Sequence, residues 1–374
     1  MSNRYDSLLS LIPESTGRLS SLHATLGFDG TVDIICKAVE ERQGRGRQFQ
    51  AFDSIRAFGQ RIVDADGKSA LIEIVKEFEK IGGNGPIMAN ALAQSALSVD
   101  YIGPLGRPQP VPVYDSFAKK VQVHSIGDPA VTQALEFTNG KVMLATLMTY
   151  DEISPENIEA AVSRNSILKS VEKSDLVCLL NWSCLPGLES ILSWLLETIL
   201  PEVADTRPRF FFFDLADPSM RPIAELEKFL CLISRFESYG HAVLGMNLNE
   251  TQFVCRALGL DAPAAGPDAL CGALRQIRAR LDLHLVLTHV AEFAVCDSPQ
   301  GQVVVDGPHT LTPQITTGAG DHFNAGFCLG LMLGFAPEES LKLGVLFSGY
   351  YVRTSESPPI SIIPHFIQQL KAGT

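Results

Sequence analysis

The sequence predicts an α/β fold: a mainly parallel central sheet with helices on both faces, plus a small β-sheet lid. Two observations carry that reading. Short apolar runs at 24–28, 176–180, 210–213, 242–245 and 283–287 each lead into a polar or glycine-bearing turn and then a stretch of helical periodicity. Two segments break the alternation: about 36–62 is rich in Arg, Gln and Gly, and about 106–148 is turn-rich with short extended pieces. Within the second, Asn139-Gly140 is a strong hairpin signal. No internal repeat or low-complexity linker interrupts the chain, so one domain, 1–374, is expected, with a lid that is discontinuous in sequence.

Each element is followed by a candidate ligand group, because in such sheets ligands bind at the carboxyl ends of the strands. The residues in those places are Asp29 and Asp33, Asn181, Asp214 and Asp217, Asn247 and Asn249, and Thr288 and His289. Polar residues at strand ends also serve as helix caps, so their convergence counts for more than any one of them. The most telling stretch is TTGAGDHFNAGFCLG at 316–330. Gly318, Ala319 and Gly320 carry almost no side chain, so their amides can close around an anionic oxygen, and the small-residue run after Asp321 reads as a helix starting there. A helix end beside Asp321 favours its ionised form, and a carboxylate next to an anion cradle suits orienting a hydroxyl for attack on a phosphoryl group.

Composition narrows the partners. A net charge of −12 argues against nucleic acid, which requires clustered Lys and Arg, and leaves a small substrate, anionic or not, as the expected ligand. The eight cysteines, at 36, 178, 184, 231, 255, 271, 296 and 328, form no CxxC pair and read as free thiols, not as a disulfide framework or zinc site. The opening MSNRYDSLLSLIPES lacks the features of a secretory signal, so a cytoplasmic location is expected. The most apolar window, 176–200, is broken by Asn181, Pro186, Gly187, Glu189 and Glu197, so no membrane association is expected. Neither GxGxxG in the first strand–helix unit nor GxxxxGK[ST] occurs, which disfavours a dinucleotide-dependent dehydrogenase or a P-loop enzyme.

The GAGD run, with Asn324, Ala325 and Gly326 after it, resembles the C-terminal signature of the PfkB, or ribokinase-like, family of sugar and nucleoside kinases. IGGNGPIMANALAQSAL at 81–97 resembles the N-terminal signature of the same family. The resemblance implies an anion hole at Gly318, Ala319 and Gly320, a catalytic base at Asp321, and substrate contacts from Gly82, Gly83 and Asn84; Asn181, at a strand's carboxyl end, is expected to join them. It implies an aspartate that binds two substrate hydroxyls, which maps best onto Asp33 of GFDGTVDII, with Asp29 as the competing position. MNLNETQF at 246–253 resembles the element that holds magnesium and phosphates through water; Asn249 reads equally as a phosphate contact or an N-cap. Gln252 stands where an acidic residue is usual, so metal binding is expected to lean on Glu250, Asp214 or the nucleotide phosphates themselves. Nucleotide contacts fall on Thr288, although its following turn is unusually bulky, and on Gly344 and Ser348. The expected reaction is Mg²⁺- and ATP-dependent phosphorylation of a hydroxyl, most simply a primary one, on a sugar or sugar-like alcohol, with a homodimer through the lid. A nucleoside kinase, or a noncatalytic sugar- or nucleotide-binding regulator on the same fold, is the alternative.

Overall fold

The computed structural model describes residues 4–205 and 207–373; residues 1–3, 206 and 374 of the expected domain lie outside the described residues. The strands are β1 (His23–Gly27), β2 (Thr31–Arg42), β3 (Phe49–Ala51), β4 (Ile74–Gly82), β5 (Ser98–Gly103), β6 (Gln122–Ser125), β7 (Ala130–Phe137), β8 (Gly140–Thr146), β9 (Leu176–Leu179), β10 (Phe210–Asp214), β11 (His241–Asn247), β12 (Leu285–His289), β13 (Phe293–Ser298) and β14 (Gly301–Asp306). A nine-stranded sheet runs in the order β14-β13-β12-β11-β10-β9-β1-β5-β6. It is parallel from β12 to β6, with β13 and β14 added antiparallel at one edge.

The five expected apolar runs all lie in this sheet, and the pleat explains why they are apolar throughout. Successive side chains point to opposite faces, and both faces are covered. Phe212, Leu26, Cys178, Val243 and Leu287 enter one core, beneath the helices Asn84–Ala93, Ala319–Met332 and Pro337–Thr354. Phe211, Phe213, Val177, Leu244 and Val286 enter the other, beneath Leu188–Trp194, Ile223–Ser234 and Pro267–Leu281. Full burial of one such side chain contributes on the order of 2 kcal/mol, so the three fully buried phenylalanines of β10, Phe211, Phe212 and Phe213, are a major anchor of the sheet centre. None of the described helices is long and apolar enough to cross a membrane.

A second, five-stranded sheet has the order β3-β2-β7-β8, with β4 on β2. One face is covered by the helix Ile55–Val63, whose Phe58 packs 5.6 Å from Phe52 and 5.4 Å from Phe137. Its membership differs from the two segments anticipated at about 36–62 and 106–148. β2 begins at Thr31, which puts Asp33 inside a strand. β4 joins as well; its charged residues, in IVKEFEKIG, mask the alternation that marks a strand. Residues 122–125 pair with β5 in the large sheet instead. The expected hairpin joins β7 to β8, but Phe137 pairs with Gly140, so the turn is Thr138-Asn139. Asn139 Oδ1 there accepts the Ile55 N–H at 3.0 Å, tying the hairpin to the covering helix.

Candidate active site

The carboxyl ends of β1, β9, β10 and β11 meet the first turns of two helices, Asn84–Ala93 and Ala319–Met332, which pack against each other. At this junction the two competing aspartates part company. Asp29 is fully buried; its Oδ1 accepts from the Gly85 N–H and the Tyr101 hydroxyl, both at 3.0 Å, and its Oδ2 accepts from Asn181 Nδ2 at 2.8 Å. Burial pushes its carboxyl up and these donors pull it back, so Asp29 ties β1 to the glycine-rich helix start with its oxygens occupied. Asp33 is 4% exposed, and its carboxylate accepts no hydrogen bond among the described residues. Burial pushes it up, opposed by Lys80 and Lys141. Asp33 is therefore the aspartate with lone pairs free for a ligand.

The paired glycines follow from these carboxylates. A Cβ on Gly82 would stand 2.3 Å from Asp33 Oδ1, and one on Gly83, at φ +87°, would stand 2.6 Å from Asp29 Oδ2. Asn84, next in sequence, donates from Nδ2 to Asp214 Oδ1 at 3.3 Å. Asn181 holds a left-handed backbone at φ 60°, and its Oδ1 is buried without a partner among the described residues.

The Ala319–Met332 helix starts two residues before the expected position, with Gly318 as its left-handed N-cap at φ +92°. Asp321 thus lies within the first turn. The preceding loop is held by Tyr351, whose hydroxyl donates to Thr317 O at 2.9 Å, and by His322, whose Nδ1 donates to Gly318 O at 2.6 Å while its ring stacks on Tyr351 at 3.6 Å. Burial pushes the His322 imidazole down to about 4, so it is neutral and its Nε2 accepts from the Ser357 hydroxyl at 2.8 Å. The Asp321 carboxyl is pushed well above the usual range, first by burial and then by the charges of Asp214, Asp29 and Asp33, with a hydrogen bond from Asn84 opposing. Desolvation and like charges thus oppose the expected favouring of the ionised form by the helix end, which is worth at most about 2 kcal/mol. Asn84, which follows the glycines set against Asp33 and Asp29, also acts on Asp321, so the three carboxyl groups lie around one junction.

Beyond Ala319 and Gly320 opens a cavity of about 450 Å³, walled by Phe323, His289, Asn247 and Ser348. Of the expected nucleotide contacts, only Ser348 faces it. Asn249 is exposed one turn away, and the N-cap of that helix is Asn247. Thr288 is fully buried, sharing a 2.7 Å hydrogen bond with the Thr251 hydroxyl; a strand's alternation sends it under the cavity and its neighbour His289 into it. Gly344 is a packing contact: a Cβ there would stand 2.9 Å from Phe323 Cε2, so it lets the Pro337–Thr354 helix approach the Ala319–Met332 helix. Burial pushes His289 down to about 4, making it a neutral wall against Phe323, 4.7 Å away. Asn324, left without a role by the sequence, donates to Asp214 Oδ2 at 3.1 Å and leaves its own Oδ1 buried and unpartnered; its place one helical turn after Asp321 was the signal.

Asp214 and Glu250 complete the polar floor. Glu250 closes a capping box, accepting from the Asn247 N–H at 2.8 Å and Asn247 Nδ2 at 2.6 Å. Burial raises Asp214 to about 6, and burial together with Asp214 raises Glu250 well above its ordinary value. No cluster of three or more His, Cys, Asp or Glu side chains is arranged to grip a metal among the described residues. Oxygen donors that repel one another fit a hydrated Mg²⁺ brought in on phosphates, held through water instead of in a protein cage. Gln252 takes no part: its amide donates to Pro263 O at 2.9 Å, away from the acidic floor.

The family model for prokaryotic ketohexokinase matches residues 10–370. The chain belongs to the prokaryotic ketohexokinase family. Like the rest of that family it is a carbohydrate kinase, a sugar phosphotransferase. It is 28% identical to a ketohexokinase of Haloferax volcanii, over 95% of this chain and 92% of the relative. Its fold is that of the ribokinases: the Thermotoga maritima ribokinase superposes with a TM-score of 0.62 at 14% identity, covering 93% of this chain and 99% of that one. The Arabidopsis thaliana ribokinase complexed with ribose and ATP superposes with a TM-score of 0.61 at 15% identity, covering 94% and 99%.

Proposed function

We propose that this family member transfers the γ-phosphoryl group of ATP to a primary hydroxyl of a ketohexose or a closely similar sugar. The observation that carries this reading is the meeting of a buried carboxyl at the start of a helix, Asp321, with an aspartate of free lone pairs, Asp33, beside a cavity that opens at the helix's first amides. Asp33 and Asn84 hold the sugar hydroxyls. Asp321 takes the proton of the attacking hydroxyl, and the amides at 318–320 stabilise charge on the transferring group. ATP occupies the cavity, its base against Ser348 and the neutral His289 wall. Asp214 and Glu250 would hold hydrated Mg²⁺, which neutralises phosphate charge when bound. A base must be deprotonated to act, so activity rises with pH through the raised Asp321 value.

The small sheet serves as the lid over the sugar, excluding water that would otherwise hydrolyse ATP. Phe78 and Met143, 55% and 42% exposed on that sheet, support a homodimer through the lid, and dependence on ATP supports a cytoplasmic site of action. The direct test is ATP consumption against ketohexoses, aldohexoses, pentoses and nucleosides, with the product position assigned by NMR. Turnover on a ketohexose is expected; absence of turnover on every sugar, with thermal stabilisation by sugar retained, would replace this reading with that of a noncatalytic binding protein.

A further inference from the structure

The small-sheet face that carries Asp33 also carries two lysines. In register, Asp33 of β2 lies between Lys80 of β4 and Thr132 of β7. Thr132 faces Ala145 of β8, and the two-residue alternation of that strand puts Lys141 on the same face. The opposite face is the one packed under Phe58. Lys80 and Lys141 form no hydrogen bond or close ion pair among the described residues, yet both charges act on Asp33. Lys80 also acts weakly on His322, the neighbour of Asp321. Lys141 is partly buried, stands opposite Glu136 of β7, and feels that carboxylate first, then Lys80 and Asp33.

Asp29 shows another way to favour the charged form of a buried carboxyl: occupy its oxygens with donors, which oppose the effect of burial. That solution would leave Asp33 nothing to offer a sugar. Attraction from ammonium groups beyond contact distance favours the charged form and leaves the lone pairs open. We infer that Lys80 and Lys141 are positioning residues for the sugar acceptor, acting through Asp33 to keep its carboxylate ionised while both oxygens stay free for substrate hydroxyls. This rests on the acceptor-site reading of Asp33. The other ionisable groups facing Asp33 are Asp321 from the Ala319–Met332 helix, Tyr351 from the Pro337–Thr354 helix and Tyr114 from the turn Pro112–Tyr114. Burial raises all three, and the tyrosines stay neutral across the working range.

The test is steady-state kinetics of Lys80→Met, Lys141→Met and Lys80→Arg from pH 6 to 8.5, with Asp33→Asn alongside. For each Met variant the sugar KM should rise at least about twofold at pH 6, as less Asp33 is ionised, and return towards the parent value at pH 8.5. The KM for ATP should hold within twofold, and Lys80→Arg should behave as the parent. Sugar KM values unchanged, or raised equally at every pH, would overturn the inference. An Asp33→Asn enzyme with unaltered sugar KM would instead overturn the acceptor-site reading itself, so the two failures are distinguishable.

Discussion

The two halves of the site are built on different principles. The proposed acceptor half is a set of polar groups that fix one another: Asp29 clasps Gly85, Tyr101 and Asn181, while Asp33 sits against Gly82 with open oxygens. The proposed donor half is a shape, a cavity between helices and a strand end, walled by Phe323, Ser348 and a neutral histidine. The contrast teaches where specificity lies. A site of unpaired buried carboxylates discriminates sharply among hydroxyl patterns, because an unmatched group costs about 1–3 kcal/mol, whereas an apolar slot discriminates by volume.

Substitutions can break or sharpen that contrast. Asp321→Asn, at the seam between the halves, should lower kcat by about 10²–10⁴-fold with the sugar KM within a few fold; retained turnover would remove Asp321 as the base. Asp214→Asn tests the acidic floor through stability. The Asp214 carboxyl is raised from 3.8 to about 6 in the fold, so its contribution is fully present below pH 4 and lost as pH rises through 6. The variant should therefore gain on the parent between pH 4 and 7, by up to about 3 kcal/mol in urea titrations, and a gap independent of pH would sink the assignment.

Gly83→Ala strikes the acceptor half alone. A methyl at φ +87° and 2.6 Å from Asp29 Oδ2 should cost about 2 kcal/mol and raise the sugar KM more than the ATP KM. Ser348→Phe is the counterpart in the donor half, expected to raise the ATP KM about tenfold by filling the cavity and to leave the sugar KM alone. Equal effects of these two on both substrates would mean that the halves are not separable. Gln252→Ala should leave the Mg²⁺ concentration for half-maximal rate unchanged, because its amide is engaged with Pro263.

The same contrast accounts for what could be read from the chain. The acceptor motifs are local: Gly82, Gly83 and Asn84 are consecutive, and their small size and polarity are a direct imprint of the carboxylates they meet. Donor contacts are scattered over a strand end, a loop and a helix, and they are selected by direction more than by residue type. Thr288 and His289 point oppositely, so of the two only His289 lines the cavity. Gly344 and Ser348 both look small enough to admit a ring, yet one meets Phe323 and the other the cavity. β4 escaped notice because a lid strand exposed along one face needs charge, which dilutes the apolar signal.

What the sequence by itself determined is the sheet and the chain order of its motifs, because apolar runs and small-residue turns act over a few residues whatever surrounds them. What only the tertiary structure decided is the environment of each charged group: that Asp29 is clasped, that Asp33 keeps open oxygens beside Lys80, and that Asp321 is raised by burial and by carboxylates more than a hundred residues away in sequence. Electrostatic and desolvation energies depend on distance in space, and the fold sets that distance.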